Sequence, residues 1–554
     1  DWYMAWACNG RVVLDRTTPA GNEQPPSPLD HLVEIELRAG SNRIGVLVIA
    51  GMEGFCLHCQ VAPADLEARQ TRAVEERVHT ARRRVEQLHH PARVQVDANR
   101  VVGTLPAPHQ HASISLDMAD DLTLTQAEAH WGRQQFVRAF AVIRDGFLMS
   151  DDYTPAPDDA HDRRLAAVAR RADDIMYPLP MTGVTQVLSG QLDEATYVRR
   201  MARAMRHARA IAPQARWAEV FNESEVDRLS NIVEYYRFYR LACRAAADAS
   251  RATPDLPIRM GGPSCCSFSV GRIGQFLDQF IADPDPSARL DFLAYHQYLT
   301  PRQAEPDLVN DEGAQLRRML AERGLDPALP VHVNENGVFP TNQGTTDIAG
   351  DLLTQATGCL ALYRRYADQP GVRAYHWTWF HPNPRKNAFV PTPQRLARQR
   401  DSANRPDDPV RQVLQAHTHP TPDAFTPFGH ALSLLARLSG ERVRVEASPR
   451  NEAGLGIDAI ASRDERTVTI LVWDYSFTQR EAPECRALTV EIDVDRPVSS
   501  ARIERVDSGS GHYLGPHAAP LVDAAAVREI APGRFSVCTT IPRNAICWIA
   551  LDLG

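Results

Sequence analysis

Three consecutive segments within residues 216–262 decide the fold: "RWAEVFN" (216–222), "VDRLSNIVEYYRFYRLACRAAA" (226–247) and "PIRMGG" (257–262). The first and third are short apolar runs of the kind found in strands that are buried on both faces. The second has apolar residues three and four positions apart, as on one face of an amphipathic helix. The stretch therefore predicts a strand–helix–strand unit of a parallel sheet.

The same alternation extends over much of the chain. The apolar runs are "RVQVDANRVVG" (93–103), "QFVRAFAVI" (135–143), "DIMYPLP" (174–180), "RWAEVFN", "PIRMGG", "DFLAYHQY" (291–298), "PVHVNE" (330–335) and "VRAYHWTWF" (372–380). Eight runs that alternate with helical patterns predict an α/β protein with a (β/α)8 TIM barrel over residues 93–440. An open doubly wound sheet is the alternative, but it would need a glycine-rich phosphate turn, and the sequence contains neither GxGxxG nor GxxxxGK[ST].

The segments that flank the barrel alternate with period two. Residues 1–62 predict an N-terminal β-sandwich, which we expect to be incomplete because the chain begins as if within a β-domain, and residues 441–554 predict a C-terminal β-sandwich. Between the first of these and the barrel, residues 63–92 are rich in Arg and Glu and have few apolar positions, so they predict a helical connector.

Composition narrows the range of partners. The 554 residues are 44 % hydrophobic and 23 % charged, with a formal net charge of -8 and no long block of like charge. This pattern argues against a nucleic acid as the main partner. No apolar run approaches the roughly 18 residues of a membrane span, so we expect no membrane partner. A signal peptide before Asp1 would make the protein secreted or periplasmic, and otherwise it would be cytoplasmic; the sequence leaves this choice and the oligomeric state open.

Two carboxylates follow apolar runs that are far apart in the sequence. Glu223 closes the fourth run and Glu335, 112 residues later, closes the seventh. Because the active site of a (β/α)8 barrel lies at the C-terminal ends of its strands, we expect the two to face each other across the barrel mouth. Either glutamate alone fits a helix N-cap equally well, and Glu225 fits the first turn of the next helix. Together, Glu223 and Glu335 predict an acid and a nucleophile for retaining glycoside hydrolysis.

Several motifs resemble those of clan A glycoside hydrolases. "FNES" (221–224) resembles the clan's Trp-Asn-Glu-Pro, and "NENG" (334–337) resembles its nucleophile segment. The sequence is most similar to glycoside hydrolase family 39, the family of β-xylosidases and α-L-iduronidases, in "FVRAF" (136–140), "IRMGGPS" (258–264) and "DFLAYHQY" (291–298). The resemblance covers approximately residues 93–554.

The resemblance implies a role for each matching position. Glu223 would be the acid/base, Asn222 would bond the sugar 2-hydroxyl, and Glu335 would be the nucleophile. The implied substrate-binding and orienting residues also include Arg138 from the second run and His296 and Tyr298 from the sixth. This chain departs from the clan's pattern at Phe221, Ser224 and Asn334, where Trp, Pro and Thr are usual.

Two features near the predicted mouth lie in and after the eighth run. Trp377 and Trp379 are candidate substrate-binding residues. They alternate on the eighth run and would point to opposite sides of a strand, so we expect only one of them to face the mouth, and a core position suits either ring about as well. The stretch 384–411 carries Arg385, Lys386 and five further arginines. Such a loop is either simply solvated or covers the cleft and favours an acidic glycan, since Arg pairs with carboxylates.

The predicted function is a cofactor-free retaining glycoside hydrolase, β-xylosidase-like, acting on an oligo- or polysaccharide. No HExxH motif occurs, the histidines do not repeat at metal-ligand spacing, and no GxSxG nucleophile elbow is found, so no metal or cofactor is predicted. One alternative is an α-L-arabinofuranosidase or a glycosidase of a bacterial exopolysaccharide. The alternative from another class is a non-catalytic carbohydrate-binding protein, which the presence of both carboxylates disfavours.

Overall fold

A computed structural model describes most of the chain: residues 3–16, 35–49, 66–105, 107–116, 119, 121–226, 228–251, 253–299, 311–338, 348–369, 371–377, 379, 387–390, 424–476 and 482–554. The chain divides into two compact units. One comprises residues 1–87 and 300–306, and the other comprises residues 88–299 and 307–554.

The described part of the first unit contains one small sheet and one helix. Strands β1 (Tyr3–Cys8), β2 (Arg11–Arg16) and β3 (Ile44–Ile49) are antiparallel, with β1 in the centre. Helix α1 (Leu66–Gln87) lies within the segment predicted as a helical connector. The predicted N-terminal sandwich therefore appears in the described residues as a three-stranded sheet.

The second unit contains a closed barrel of eight parallel strands, as the sequence predicts. In chain order these are β5 (His111–Ser115), β6 (Gln134–Phe140), β7 (Ala172–Pro178), β8 (Ala215–Glu219), β9 (Arg259–Cys265), β10 (Phe292–Leu299), β11 (Val331–Val338) and β12 (Val372–Trp377). The circle closes where β12 pairs with β5. Consecutive strands are neighbours throughout, so the C-terminal ends of all eight meet at one mouth.

Helices follow the barrel strands. They are α2 (Asp121–Trp131), α3 (Asp145–Met149), α4 (Ala160–Arg171), α5 (Thr182–Leu188), α6 (Glu194–Ile211), α7 (Ile232–Ser250), α8 (Val270–Ala282), α9 (Glu312–Glu322), α10 (Ile348–Ala367) and α11 (Pro427–Ala436). Helix α7 shows how the sequence starts one of them: the side chain of Asn231 accepts hydrogen bonds from the N–H groups of Val233 and Glu234. Among the described residues, no helix combines the length and hydropathy that a membrane span requires.

A ten-stranded sheet makes up the rest of the second unit. Its strands are β4 (Ala92–Gly103), β13 (Glu441–Ser448), β14 (Gly456–Arg463), β15 (Thr467–Tyr475), β16 (Cys485–Asp493), β17 (Val498–Val506), β18 (Leu521–Ala525), β19 (Val527–Ala531), β20 (Arg534–Pro542) and β21 (Ile546–Leu553). The order across the sheet is β18-β17-β21-β15-β14-β13-β4-β16-β20-β19. Strands from both halves contribute to one apolar cluster, so the sheet folds over a single core, as in the predicted β-sandwich.

One strand prediction was wrong. Residues 93–103, taken as the first barrel strand, belong to β4, which lies between β13 and β16 in the ten-stranded sheet. In β4 the buried residues Ala92, Val94 and Val96 alternate with exposed ones, which is typical of a strand buried on one face only. The true first barrel strand, β5, has the sequence "HASIS", which is too short and too polar to stand out as an apolar run.

The interior of the barrel contains a tightly packed aromatic layer beneath its mouth. Phe136, Trp217, Phe292 and Tyr375 form an apolar cluster inside the strands. Strand β9 lies so close to this layer that a Cβ on Gly261 would lie 2.4 Å from the ring of Phe292. Packing therefore requires a glycine at position 261, the first residue of the "GGPS" segment. The aromatic layer supports the polar side chains at the strand ends.

Candidate active site

Two carboxylates and one imidazole meet at the C-terminal end of the barrel. Glu223 lies in the loop after β8, Glu335 lies in β11 and His296 lies in β10. The Nδ1 atom of His296 is 2.7 Å from Oε1 of Glu223 and 3.7 Å from Oε2 of Glu335. One oxygen of each carboxylate and a ring nitrogen of His296 all lie within 4.8 Å of one another. The two glutamates that the sequence singled out are therefore close together in the fold.

The loop that carries Glu223 has an unusual backbone. Phe221 and Glu223 both adopt left-handed conformations, with φ of 61° and 44°, which are uncommon for residues other than glycine. The N–H of Glu223 donates to the carbonyl of Ser264 at the end of β9 (3.1 Å), and the hydroxyl of Tyr235 donates to the carbonyl of Val220 (2.7 Å). Such backbone strain persists where the surrounding structure holds it, and it is common at functional sites.

Arg138 from β6 is the centre of a buried hydrogen-bond network. Its five N–H groups are all used: Nε donates to Oε2 of Glu219 (2.5 Å), Nη2 to Oε1 of Glu219 (2.7 Å) and Oδ1 of Asn222 (2.6 Å), and Nη1 to Oε1 of Glu335 (2.6 Å) and Oγ of Ser113 (3.2 Å). The arginine has no exposed surface. Its position was predicted, and it contacts both Glu335 and Asn222 directly.

The second oxygen of Glu335 is also bonded. The hydroxyl of Tyr298 donates to Oε2 of Glu335 at 2.8 Å. Burial by itself would raise the pKa of Glu335, but the charges of His296 and Arg138 and the hydrogen bonds from Arg138 and Tyr298 hold that pKa well below its usual range. Glu335 is therefore a carboxylate at neutral pH, which is the form that a nucleophile needs.

The pKa values of His296 and Tyr298 are both raised, for different reasons. Burial would lower the pKa of His296, yet the carboxylate of Glu335 and the hydrogen bond to Glu223 raise it above its usual value. Burial and the neighbouring Glu335 carboxylate raise the pKa of Tyr298 well above its usual value. Six predicted site residues thus form one cluster: Asn222, Glu223, Glu335, Arg138, His296 and Tyr298.

The two tryptophans occupy different environments. Trp377 is half-buried at the end of β12 and packs edge-on against Phe140, with ring centroids 5.2 Å apart. The Arg138 guanidinium lies 4.4 Å from the centroid of the same Phe140 ring. Trp379 is 3 % exposed and packs in the apolar core beside Trp131 at 6.0 Å. The expected reason for their separation was wrong, because residues two apart in a continuous strand share a face. The two rings lie in different environments because β12 ends at Trp377.

Within the part of the chain that the structure describes, two side-chain clusters have spacings that could hold a cation. The first consists of Glu223, His296 and Glu335. Its imidazole already bonds the carboxylate of Glu223 and lies where a cation would have to bind. In the second, Asp159, His161 and Asp162, the guanidinium of Arg144 bonds both aspartates, at 2.6 and 2.5 Å. In both clusters the carboxylates are thus stabilised by protein groups.

The sequence did not single out two of the contacting residues. Ser113 was missed because its strand, β5, was not recognised. Glu219 lies within the run "RWAEVFN". A charged residue in an otherwise apolar strand was the signal that could have identified it.

Glu225 was assigned to a helix, but it lies in a short 3-10 turn (Ser224–Val226) and accepts the N–H of Cys266 at 2.5 Å. The arginine-rich stretch 384–411 lies outside the described residues, apart from 387–390.

Comparison with solved structures identifies the fold. No protein-family model matches the chain, and no curated protein matches its sequence. A glucosidase from Croceicoccus marinus is similar at 14% identity and a TM-score of 0.54, covering 83% of this chain and 99% of its own. A bacterial orthologue of human α-L-iduronidase is similar at 14% identity and a TM-score of 0.54, covering 84% of both chains.

A third similar structure is a β-porphyranase of glycoside hydrolase family 86 from the human gut bacterium Bacteroides plebeius. It has 12% identity and a TM-score of 0.51, and the match covers 84% of this chain and 78% of the porphyranase. At such identities the similarity shows a shared architecture, a TIM barrel with an accompanying β-sheet domain. The similar proteins that have this architecture are glycoside hydrolases. The resemblance to family 39 stays a prediction.

Proposed function

We propose that this protein is a retaining glycoside hydrolase in which Glu335 is the nucleophile and Glu223 is the acid/base. The observation that carries the proposal is the position of the two carboxylates, whose nearest oxygens lie within 4.8 Å across the mouth of the barrel. Retaining glycosidases hold their carboxyl groups about 5–5.5 Å apart, whereas inverting ones need about 6.5–9.5 Å to admit a water. The short separation favours direct attack by a carboxylate.

The reaction would proceed by two displacements. Glu335 attacks the anomeric carbon while Glu223 gives its proton to the departing glycosidic oxygen, so that a covalent glycosyl-enzyme forms and the first alcohol leaves. A water then attacks the same carbon from the opposite side of the ester bond, and Glu223 takes the proton of that water. Glu335 is released as a carboxylate, and the sugar keeps its original anomeric configuration.

The surroundings of each carboxyl group support this division of roles. Arg138 and Tyr298 each hold one oxygen of Glu335, which orients the carboxylate and keeps it ionised. The Glu223 side chain is 30 % exposed and faces the mouth, where a leaving group and a water can reach it. The bonded oxygen of Asn222 faces Arg138, which leaves the amide N–H groups of Asn222 to donate to a sugar hydroxyl.

The proposed substrate is an oligo- or polysaccharide. The sequence motifs favour a β-xylosidase-like activity of the family 39 type. A similar structure of 13% identity and TM-score 0.54, which covers 83% of this chain and 78% of its own, was solved in complex with neoagarooctaose, which supports a glycan as the substrate. Trp377, half-buried beside the site, would pack against the apolar face of a sugar ring.

The experiment is to follow the anomer of the first product by proton NMR during the first minutes of hydrolysis, after a panel of aryl glycosides has identified a substrate. We expect the product to appear first with the configuration of the substrate and then to mutarotate. Initial inversion would refute the assignment of Glu335 as nucleophile. Glu335→Ala is the matched variant, and it should abolish turnover of every substrate, including those with activated leaving groups.

A further inference from the structure

The chemistry proposed above does not use Glu219, although it is the most deeply buried carboxylate of the site. It is the last residue of β8, has no exposed surface and lies four residues before Glu223. We infer that Glu219 is a positioning residue that acts on the nucleophile through Arg138. Glu219 fixes the orientation of the guanidinium and offsets part of its positive charge. Glu335 therefore receives one directed hydrogen bond from Arg138, and its negative charge is not fully neutralised. This inference rests on the proposed function.

The geometry of the Arg138–Glu219 pair supports the first part of the inference. Glu219 binds the guanidinium in a bidentate manner, through Nε and Nη2, at 2.5 and 2.7 Å. A guanidinium is a rigid planar fork, so these two bonds determine where the remaining N–H groups point. Nη1 then faces Glu335, and the second hydrogen of Nη2 faces Asn222. Glu219 thus positions two residues that would contact the sugar.

Glu219 is itself held by a third bond. The side-chain amide of Asn334, the residue directly before Glu335, donates to Oε2 of Glu219 at 2.7 Å. This bond connects strand β8 with strand β11, which carries the nucleophile. Asn334 is fully buried, and it is one of the positions at which this chain departs from the usual clan A pattern. The departure therefore has a structural role here: the Asn334 amide satisfies an oxygen that a buried carboxylate must have bonded.

Charge provides the second part of the inference. Arg138 and Tyr298 donate hydrogen bonds to Glu335, and the imidazole of His296 lies 3.7 Å from it. An oxygen of Glu223 lies within 4.8 Å of Glu335, and Glu219 binds the same guanidinium as Glu335 does. Without Glu219, the buried guanidinium would have Glu335 as its single carboxylate partner and would form a closed ion pair with it. A carboxylate whose charge is fully paired is a poorer nucleophile. By taking two of the five N–H groups, Glu219 shares the charge and limits this pairing.

A second buried ion pair in the same barrel provides a matched control. Glu312, at the start of α9, is paired with Arg365 at 2.5 Å, and both side chains are almost completely buried. Glu312 also accepts hydrogen bonds from Tyr295 (2.7 Å) and Tyr366 (3.1 Å). Loss of this pair should cost stability as the loss of any buried pair does, but Glu312 has no contact with Arg138 or Glu335. Glu312→Gln thus separates a general effect of pair loss from an effect on the nucleophile.

The test is a double-mutant cycle in kcat/KM on one glycoside, with rates expressed per folded molecule from circular dichroism. Glu219→Gln should lower kcat about 30-fold with KM nearly unchanged, and Arg138→Met should lower it further. The double variant should have a kcat no lower than that of Arg138→Met alone. Once Arg138 is gone, Glu219 is a buried carboxylate without its cationic partner, and Glu219→Gln removes that charge. Glu312→Gln should change kcat less than about twofold and should combine additively with Arg138→Met.

Additive losses for Glu219→Gln and Arg138→Met would overturn the inference, as would a fall in kcat for Glu312→Gln that equals that of Glu219→Gln. If the Arg138 or Glu219 variants do not fold, Asn334→Ala provides the second test, because it removes one bond to Glu219 and leaves every charge in place. We expect kcat to fall about three- to tenfold with unchanged KM, and an unchanged kcat would contradict the inference. The proposed function is tested separately, since a Glu335→Ala variant that still turns over substrate would refute that function whatever the cycle shows.

Discussion

Tyr298 and Arg138 hold opposite oxygens of the same carboxylate: Tyr298 donates to Oε2 of Glu335 at 2.8 Å, and Arg138 donates to Oε1 at 2.6 Å. Both bonds are to the ionised form, so both lower the pKa of Glu335. They differ in that the tyrosine hydroxyl is uncharged, whereas the guanidinium of Arg138 carries a positive charge. Tyr298 therefore offers a way to change the pKa of the nucleophile without removing a charge from the buried network.

The first prediction concerns Tyr298→Phe. Because the hydroxyl favours the carboxylate form, its loss should raise the pKa of Glu335 and move the acid limb of the kcat/KM profile to higher pH. We expect kcat/KM to fall about tenfold at the wild-type optimum. Tyr295→Phe is the control, since its hydroxyl bonds Glu312 outside the site. An acid limb that stays in place in Tyr298→Phe would show that this hydroxyl does not act on Glu335.

The second prediction separates the acid from the nucleophile. Glu223→Ala should spare the first step for activated aryl leaving groups, which need no proton, and should slow it strongly for alkyl or sugar leaving groups. Added azide should then react with the glycosyl-enzyme and yield a glycosyl azide of retained configuration. The measurement is kcat/KM across a series of leaving groups, with the product identified by NMR. Equal losses for activated and unactivated substrates would mean that Glu223 is not the acid.

The third prediction concerns the pH dependence of stability. The pKa of His296 is raised in the folded protein, so its protonated form stabilises the fold below the ordinary histidine pKa of about 6.5, and this contribution is lost as pH rises through the raised value. The difference in Tm between wild type and His296→Gln should therefore be largest near pH 6 and shrink towards pH 9. Thermal unfolding at a series of pH values checks this, and a difference that grows with pH would contradict it.

The fourth prediction distinguishes the two tryptophans. Trp379→Ala should destabilise the protein by about 3–5 kcal/mol, as expected for truncation of a large ring in a packed core. Trp377→Ala should lower Tm much less, because the ring is half-buried beside Phe140, and should raise KM if the ring packs on the sugar as proposed. Thermal melting and steady-state kinetics on both variants test the assignment. A loss of stability in Trp377→Ala as large as that in Trp379→Ala would place both rings in the core.

The sequence by itself determined the barrel and predicted where its site would lie. Runs such as "DFLAYHQY" and "PVHVNE" and the helices between them are local patterns, because hydrophobic periodicity reports whether a segment is buried on one face or two. The rule that the active site lies at the C-terminal strand ends then indicated Glu223 and Glu335 before any contact was known. Arg138, His296 and Tyr298 followed from the resemblance of short motifs.

Tertiary structure alone decided which strands pair and which side chains meet. Strand β4 (Ala92–Gly103) joins the ten-stranded sheet and "HASIS" joins the barrel, because a strand's partners lie far away in sequence and leave little trace in its own composition. The separation of Trp377 from Trp379 depends on where β12 ends. The role of Glu219 depends on Arg138, 81 residues earlier, and on Asn334, 115 residues later. A buried carboxylate is tolerated only with such partners, and folding is what brings them within hydrogen-bond distance.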